Sequence, residues 1–141
     1  MEFVVDASVV VKWFLPESNS DKAEALLQRF ISDGLVLTAP DHLIAEVGNT
    51  LWKRSVRRKE ISVAEAEASY SDFLSLQLPL EASSTIADQA FNLAVQENHS
   101  VYDTLYLALA LERSCELITA DKTFTNKVSK KFTFVRLLDT F

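Results

Sequence analysis

Four short apolar runs, Glu2–Val5 (EFVV), Leu35–Thr38 (LVLT), Glu116–Thr119 (ELIT) and Phe132–Leu137 (FTFVRL), are separated by segments of helical periodicity. A strand buried on both faces reads as an unbroken aliphatic run, and strands that alternate with helices pair in parallel. The pattern restricts the chain to the α/β class, with a mostly parallel central sheet flanked by helices on both faces. Leu80–Ala82 is a further, brief strand candidate. Helices are expected over Ser8–Leu15, stopped by Pro16, and over Asp21–Ser32, closed by Gly34. Asp41 can cap a long helix running to about Arg58. Ser62 and Glu65 form a capping box for another that reaches about Leu76. Ser84–Glu97 and Ser100–Arg113 follow, the latter apolar all round and therefore buried. No repeat, low-complexity tract or linker divides residues 1–141. With 48% hydrophobic residues, one domain with one core is expected.

Composition excludes several chemistries. Gly34 and Gly48 are the only two glycines, so no glycine loop can cradle phosphates. Cys115 stands alone, which excludes an internal disulfide and a cysteine-rich zinc site, and a free thiol suits a reducing, cytoplasmic setting. Asp6 and Lys12 interrupt the apolar start, so neither a signal peptide nor a membrane span is expected. No serine sits in a G-x-S-x-G elbow. His42 reads as a surface residue at a helix entry and Cys115 as core. Trp13, Trp52, Tyr102 and Tyr106 read as packing residues at helical spacing. An enzyme using Asp6 as a phosphotransfer nucleophile would place a second acid two residues on, where Ser8 stands.

Four acids stand out. Asp6 and Asp121 follow apolar strands, so in a parallel sheet both emerge at one edge; each could equally cap a helix or a turn. Asp103 opens the buried helix, either as the partner of Ser100 in a capping box or as a metal ligand. Glu46 lies in the helix after Asp41. At about 100° per residue, Glu46, Asn49, Thr50, Lys53 and Arg57 share one polar flank. Asn49 and Thr50 occupy the positions where a surface salt bridge to Glu46 would need a cation. Gathered without counterions, such carboxylates repel by roughly 4 kcal/mol per close pair at an effective dielectric near 20. Mg²⁺ or Mn²⁺ would relieve this, since both prefer oxygen ligands.

The net charge is −6, yet nine of the fourteen cations fall in two stretches: Lys53, Arg54, Arg57, Arg58 and Lys59, then Lys122, Lys127, Lys130 and Lys131. Alone, such runs read as solvated helix faces. Beside a metal-filled acidic site, Lys53, Arg54, Arg57, Arg58, Lys59 and Lys122 could carry a phosphate chain whose scissile group meets the ions.

The ordered segments FVVDAS, PDHLIAEVGNTLW, HSVYDTLYLALAL and LITADKTF resemble the PIN domain, in particular the VapC-type toxin ribonucleases of bacterial and archaeal toxin–antitoxin pairs. The resemblance spans essentially the whole chain and implies a three-layer sandwich. It further implies a Mg²⁺- or Mn²⁺-dependent endoribonuclease whose acidic quartet is Asp6, Glu46, Asp103 and Asp121. Ser8, Asn49 and Thr119 would be supporting polar residues. A homodimer and a small cognate antitoxin protein that occludes the acidic pocket are implied as partners. The alternative is a non-catalytic module of the same fold that binds RNA or protein.

Overall fold

The computed structural model describes all 141 residues. Strand β1 (Glu2–Val5) pairs with β2 (Val36–Pro40) on one side and β4 (Glu116–Thr119) on the other. The short β3 (Leu80–Glu81) and β5 (Val135–Leu137) close the edges, giving a five-stranded sheet of order β3-β2-β1-β4-β5. Every pairing is parallel, and Val4 stands opposite both Thr38 and Leu117. The central strands are covered on both faces, so their unbroken apolar runs bury almost every residue.

Seven helices connect the strands: α1 (Ala7–Val10, continued as a 3₁₀ turn to Trp13), α2 (Ser20–Ser32), α3 (Leu43–Trp52), α4 (Val63–Ser75), α5 (Ser83–Glu97), α6 (Val101–Arg113) and α7 (Lys122–Val128). The apolar α6 is buried from Thr104 to Ala110, as its all-round hydrophobicity requires. Gly34 adopts φ +71 after α2, a conformation that costs glycine nothing. Gly48 admits the ring of Tyr70 from α4; a Cβ there would lie 3.0 Å from the phenol oxygen.

The chain steps from β1 to β2 to β3 and then returns to β4 and β5 on the far side of β1. Right-handed crossovers therefore place α1–α4 and α5–α7 on opposite faces. The reversal falls between β1 and β4. At such a switch point the carboxyl ends of two neighbouring strands leave a crevice, and Asp6 and Asp121 stand beside it.

Several local expectations need correction. Asp41 does not cap α3; its carboxylate accepts the backbone N–H and hydroxyl of Ser83, tying the start of α3 to that of α5. The last strand is shorter than Phe132–Leu137, because Phe132 N–H bonds the Val128 carbonyl and Val135 N–H bonds the Phe132 carbonyl, folding that segment into turns. Trp13 is buried, with its indole N–H on the Ala23 carbonyl at 2.9 Å. Trp52 and Tyr102 are instead 46% and 67% exposed. Cys115 is half-buried against the core.

The helix expected to run unbroken to Arg58 widens into a π turn over Lys53–Arg57, closed by the bond from Arg58 N–H to the Lys53 carbonyl at 2.8 Å. The buried Ser55 hydroxyl sits inside this turn and donates to the Leu51 carbonyl at 2.8 Å.

Candidate active site

Asp6 leaves β1 and caps α1: Oδ1 accepts from Ser8 N–H at 3.0 Å, from Val9 N–H at 3.4 Å and from the Ser8 hydroxyl at 2.5 Å. The Thr119 hydroxyl donates to the other oxygen, Oδ2. Ser8 Oγ in turn accepts Ala120 N–H at 2.8 Å, and Thr119 Oγ1 accepts Asp121 N–H at 3.1 Å. These bonds stitch the end of β1 to the end of β4. Asp121 caps α7 through Oδ1, which accepts Phe124 N–H at 3.0 Å, and keeps Oδ2 for other work. Both residues cap helices, and both also line the cavity described below.

Burial pushes the Asp6 carboxyl up to about 6, the nearby charge of Glu46 adding to the shift and the Ser8, Thr119 and Val9 hydrogen bonds opposing it. A carboxylate with this many donors would ordinarily titrate low. Desolvation outweighs them here.

Glu46 projects from α3 and is held through Oε1, which accepts the Tyr106 hydroxyl at 2.8 Å and lies 3.0 Å from His42 Nε2. His42 Nε2 is also 2.9 Å from the Tyr102 carbonyl; both neighbours are acceptors, so Nε2 carries the hydrogen. His42 is thus not a surface residue, and its ring packs 4.7 Å from that of Tyr106. Burial first, then the charges of Glu46, Asp6 and Asp103, hold the Tyr106 phenol well above its ordinary range. It stays a hydroxyl donor. Tyr106→Phe removes this donor and is expected to cost about 1 kcal/mol of stability, measured by urea unfolding.

Asp103 repeats the arrangement on α6. His99, four residues earlier, places Nε2 2.8 Å from Oδ2, and the Ser100 hydroxyl lies 3.3 Å from the same atom. The His99 ring rests 5.1 Å from Phe124. Ser100 also accepts Asp103 N–H at 3.4 Å and so caps α6, but the Asp103 carboxylate takes the Ser100 hydroxyl rather than its backbone N–H, and the expected capping box is only half formed.

All four acids line one cavity of about 360 Å³ at the switch point, together with Ser8, Lys12, Glu17, Thr50, Arg54 and Tyr106. The donor set is entirely oxygen, which suits Mg²⁺ or Mn²⁺. The acids share the cavity without meeting at one point, since no three His, Cys, Asp or Glu side chains converge closely enough to hold a metal ion.

A family model described as the PIN domain matches residues 3–130. The chain belongs to the PIN-domain family. Over 130 residues this PIN domain is 32% identical to "Ribonuclease VapC3" of Pyrobaculum aerophilum, an overlap of 90% of this chain and 95% of that protein. Three solved structures share the fold. PAE2754 from Pyrobaculum aerophilum superposes with a TM-score of 0.72 at 24% identity, covering 99% of this chain and 92% of its own. Mycobacterium tuberculosis VapC20, a sarcin–ricin loop cleaving toxin, gives 0.65 at 18% identity, covering 89% of this chain and 95% of its own. VapBC2 from Rickettsia felis, bound to a promoter DNA fragment, gives 0.61 at 12% identity, covering 97% of each chain.

The remaining sequence-nominated residues of the PIN domain divide. Ser8 and Thr119 bond Asp6 directly. Asn49 is exposed and off the cavity lining, where Thr50 stands instead. Arg54 lines the cavity with Glu46 and Thr50, while Lys53, Arg57 and Arg58 surround a separate depression. Lys59 is exposed, and Lys122 borders a second depression next to the acidic cavity. Five residues at or behind the cavity escape the sequence reading: Lys12, Glu17, His42, Tyr106 and His99. The two histidines each precede an acid by four residues, a spacing that could have marked them.

No helix of the PIN domain is long and apolar enough to cross a membrane.

Proposed function

We propose that this PIN domain is an endoribonuclease that hydrolyses RNA phosphodiester bonds with Mg²⁺ or Mn²⁺ and serves as the toxin of a toxin–antitoxin pair. The observation that carries the reading is the placement of Asp6, Glu46, Asp103 and Asp121 around one cavity at the sheet's switch point. The ribonuclease name of the relative at 32% identity supports the same reaction. These four acids would hold the metal, which when bound supplies an activated water and stabilises the leaving oxygen. Ser8 and Thr119 orient Asp6, His42 and Tyr106 orient Glu46, and His99 orients Asp103. Lys53, Arg57 and Arg58, around their separate depression, and the exposed Lys59 would give RNA beyond the scissile bond a basic surface. A small cognate antitoxin protein, a homodimer and a cytoplasmic setting complete the proposal; the free Cys115 suits the last.

One observation favours a second reading. The acids do not converge in threes, as they need not in a non-catalytic binding module. Incubation of the protein with defined transfer and ribosomal RNAs separates the two. Cleavage is expected with Mg²⁺ or Mn²⁺, none with excess chelator, and recovery when Mn²⁺ is restored. RNA left intact at every metal concentration, with wild type and Asp6→Asn alike, would establish the binding module instead.

A further inference from the structure

The acidic cavity has a second half that the quartet does not use. Its lining carries five carboxylates, those of Asp6, Glu17, Glu46, Asp103 and Asp121, against two cations, Lys12 and Arg54. An RNA backbone entering so negative a space needs every positive group within reach. The two cations come from distant elements, the 3₁₀ turn after α1 and the π turn after α3, yet one side chain holds both. Glu17 Oε1 lies 3.2 Å from Lys12 Nζ, and Glu17 Oε2 lies 2.6 Å from an Arg54 Nη1. Their side chains are 11%, 20% and 25% exposed for Lys12, Glu17 and Arg54.

We propose that Lys12 and Arg54, each fixed by one oxygen of Glu17, form the seat for an RNA phosphate adjacent to the scissile one. This assignment rests on the ribonuclease reading above. Lys12 uses two of its three N–H groups, on Glu17 and on the Ser18 carbonyl at 2.8 Å, and keeps a third. Arg54 has five N–H groups; Nη1 pairs with Glu17 and Nε lies 3.8 Å from Glu60 Oε2, which leaves the Nη2 hydrogens for phosphate oxygens. Holding both cations in place before substrate arrives removes the cost of ordering two long side chains at binding. Lys12 and Ala120 also line the adjoining depression, where Lys122 stands. A strand leaving the cavity over Lys12 therefore meets Lys122 next.

The test measures binding of a labelled single-stranded RNA decamer across a salt series, in an Asp6→Asn background that leaves the RNA intact. Lys12→Gln and Arg54→Gln are each expected to flatten the slope of log affinity against log salt by about 0.7 and to weaken binding roughly tenfold. Arg29→Gln, beside Met1 at the opposite edge of the sheet, is expected to change neither. With Asp6 restored, the two neutral variants are expected to raise KM and leave kcat within about twofold. Unchanged slopes in folded Lys12→Gln and Arg54→Gln proteins overturn the seat, as does a fall in kcat at constant KM. Should a neutral variant fail to fold, ¹³C-dimethylation of lysines keeps the charge. The Lys12 signal is then expected to shift on adding RNA, and an unmoved signal overturns the proposal. Cleavage by wild type with unchanged slopes defeats the seat alone. Altered slopes without any cleavage defeat the ribonuclease reading and leave the seat as an RNA-binding site.

Discussion

Asp6→Asn is expected to reduce RNA cleavage at least a hundredfold while making the metal-free protein more stable at pH 8. Loss of a hydrogen-bond partner behind a metal ligand already costs about 10–100-fold, so loss of the ligand's charge costs at least the upper end of that range. Stability moves the other way because Asp6 is held in a place that disfavours its charge, its carboxyl being raised to about 6 by burial. Asparagine keeps the geometry. Its carbonyl can accept from Ser8 N–H and the Ser8 hydroxyl, and its amide can face Thr119 Oγ1. Removing the charge is expected to return up to about 3 kcal/mol, a rise in melting temperature of about 6–12 °C for a domain of this size. Calorimetry and a cleavage assay on the same preparation check both halves. A variant that loses activity and stability together would show Asp6 to matter chiefly as the cap of α1.

The second large effect is a dependence on pH that has opposite sign with and without metal. The folded-state value of about 6 lies above the ordinary 3.8, so between these limits the folded protein binds more protons than the unfolded chain. Metal-free stability is therefore greatest below pH 3.8 as far as Asp6 is concerned, declines as pH rises to about 6, and is flat above. The decline amounts to about 3 kcal/mol. A divalent ion needs the deprotonated carboxylate. Apparent affinity for Mn²⁺ is expected to climb about tenfold per pH unit up to pH 6 and then to level. Thermal shifts with and without Mn²⁺, taken from pH 5 to 8, should diverge through that window. Parallel curves would place metal binding, if any, away from Asp6.

The sheet was legible in the sequence because a strand buried on both faces leaves a mark that needs no partner to be read: EFVV and ELIT are apolar whatever packs on them. Asp6 and Asp121 were legible for a related reason, since the residues just past parallel strands emerge at one edge. Lys12 and Glu17 carried no comparable mark, because their importance comes from Arg54, which reaches them only after α3 has folded against α1. Arg54 is one of five clustered cations in the sequence, and a rotation of about 100° per residue puts Lys53 and Arg57, not Arg54, in line with Glu46. The structure brings Arg54, four residues after Thr50, to the cavity, and the π turn over Lys53–Arg57 departs from that regular rotation. Tyr106 was hidden in plain view. Its helix is apolar all round, so a phenol there reads as packing until Glu46 is seen at 2.8 Å. His42 and His99 show the intermediate case, where the spacing to each acid is printed in the chain but the ring orientation is not.

The switch point has a consequence for timing. The acids that border it enter the chain at position 6 and position 121, and the Asp6 carboxylate finds its Thr119 donor only once β4 has slotted in beside β1. A nascent polypeptide emerging from the ribosome holds β1, β2 and β3 long before it holds β4. On the proposed reading, synthesis of this chain is safe for the RNA of the machine that makes it until the last central strand arrives, and the capacity to cut appears in a single late step.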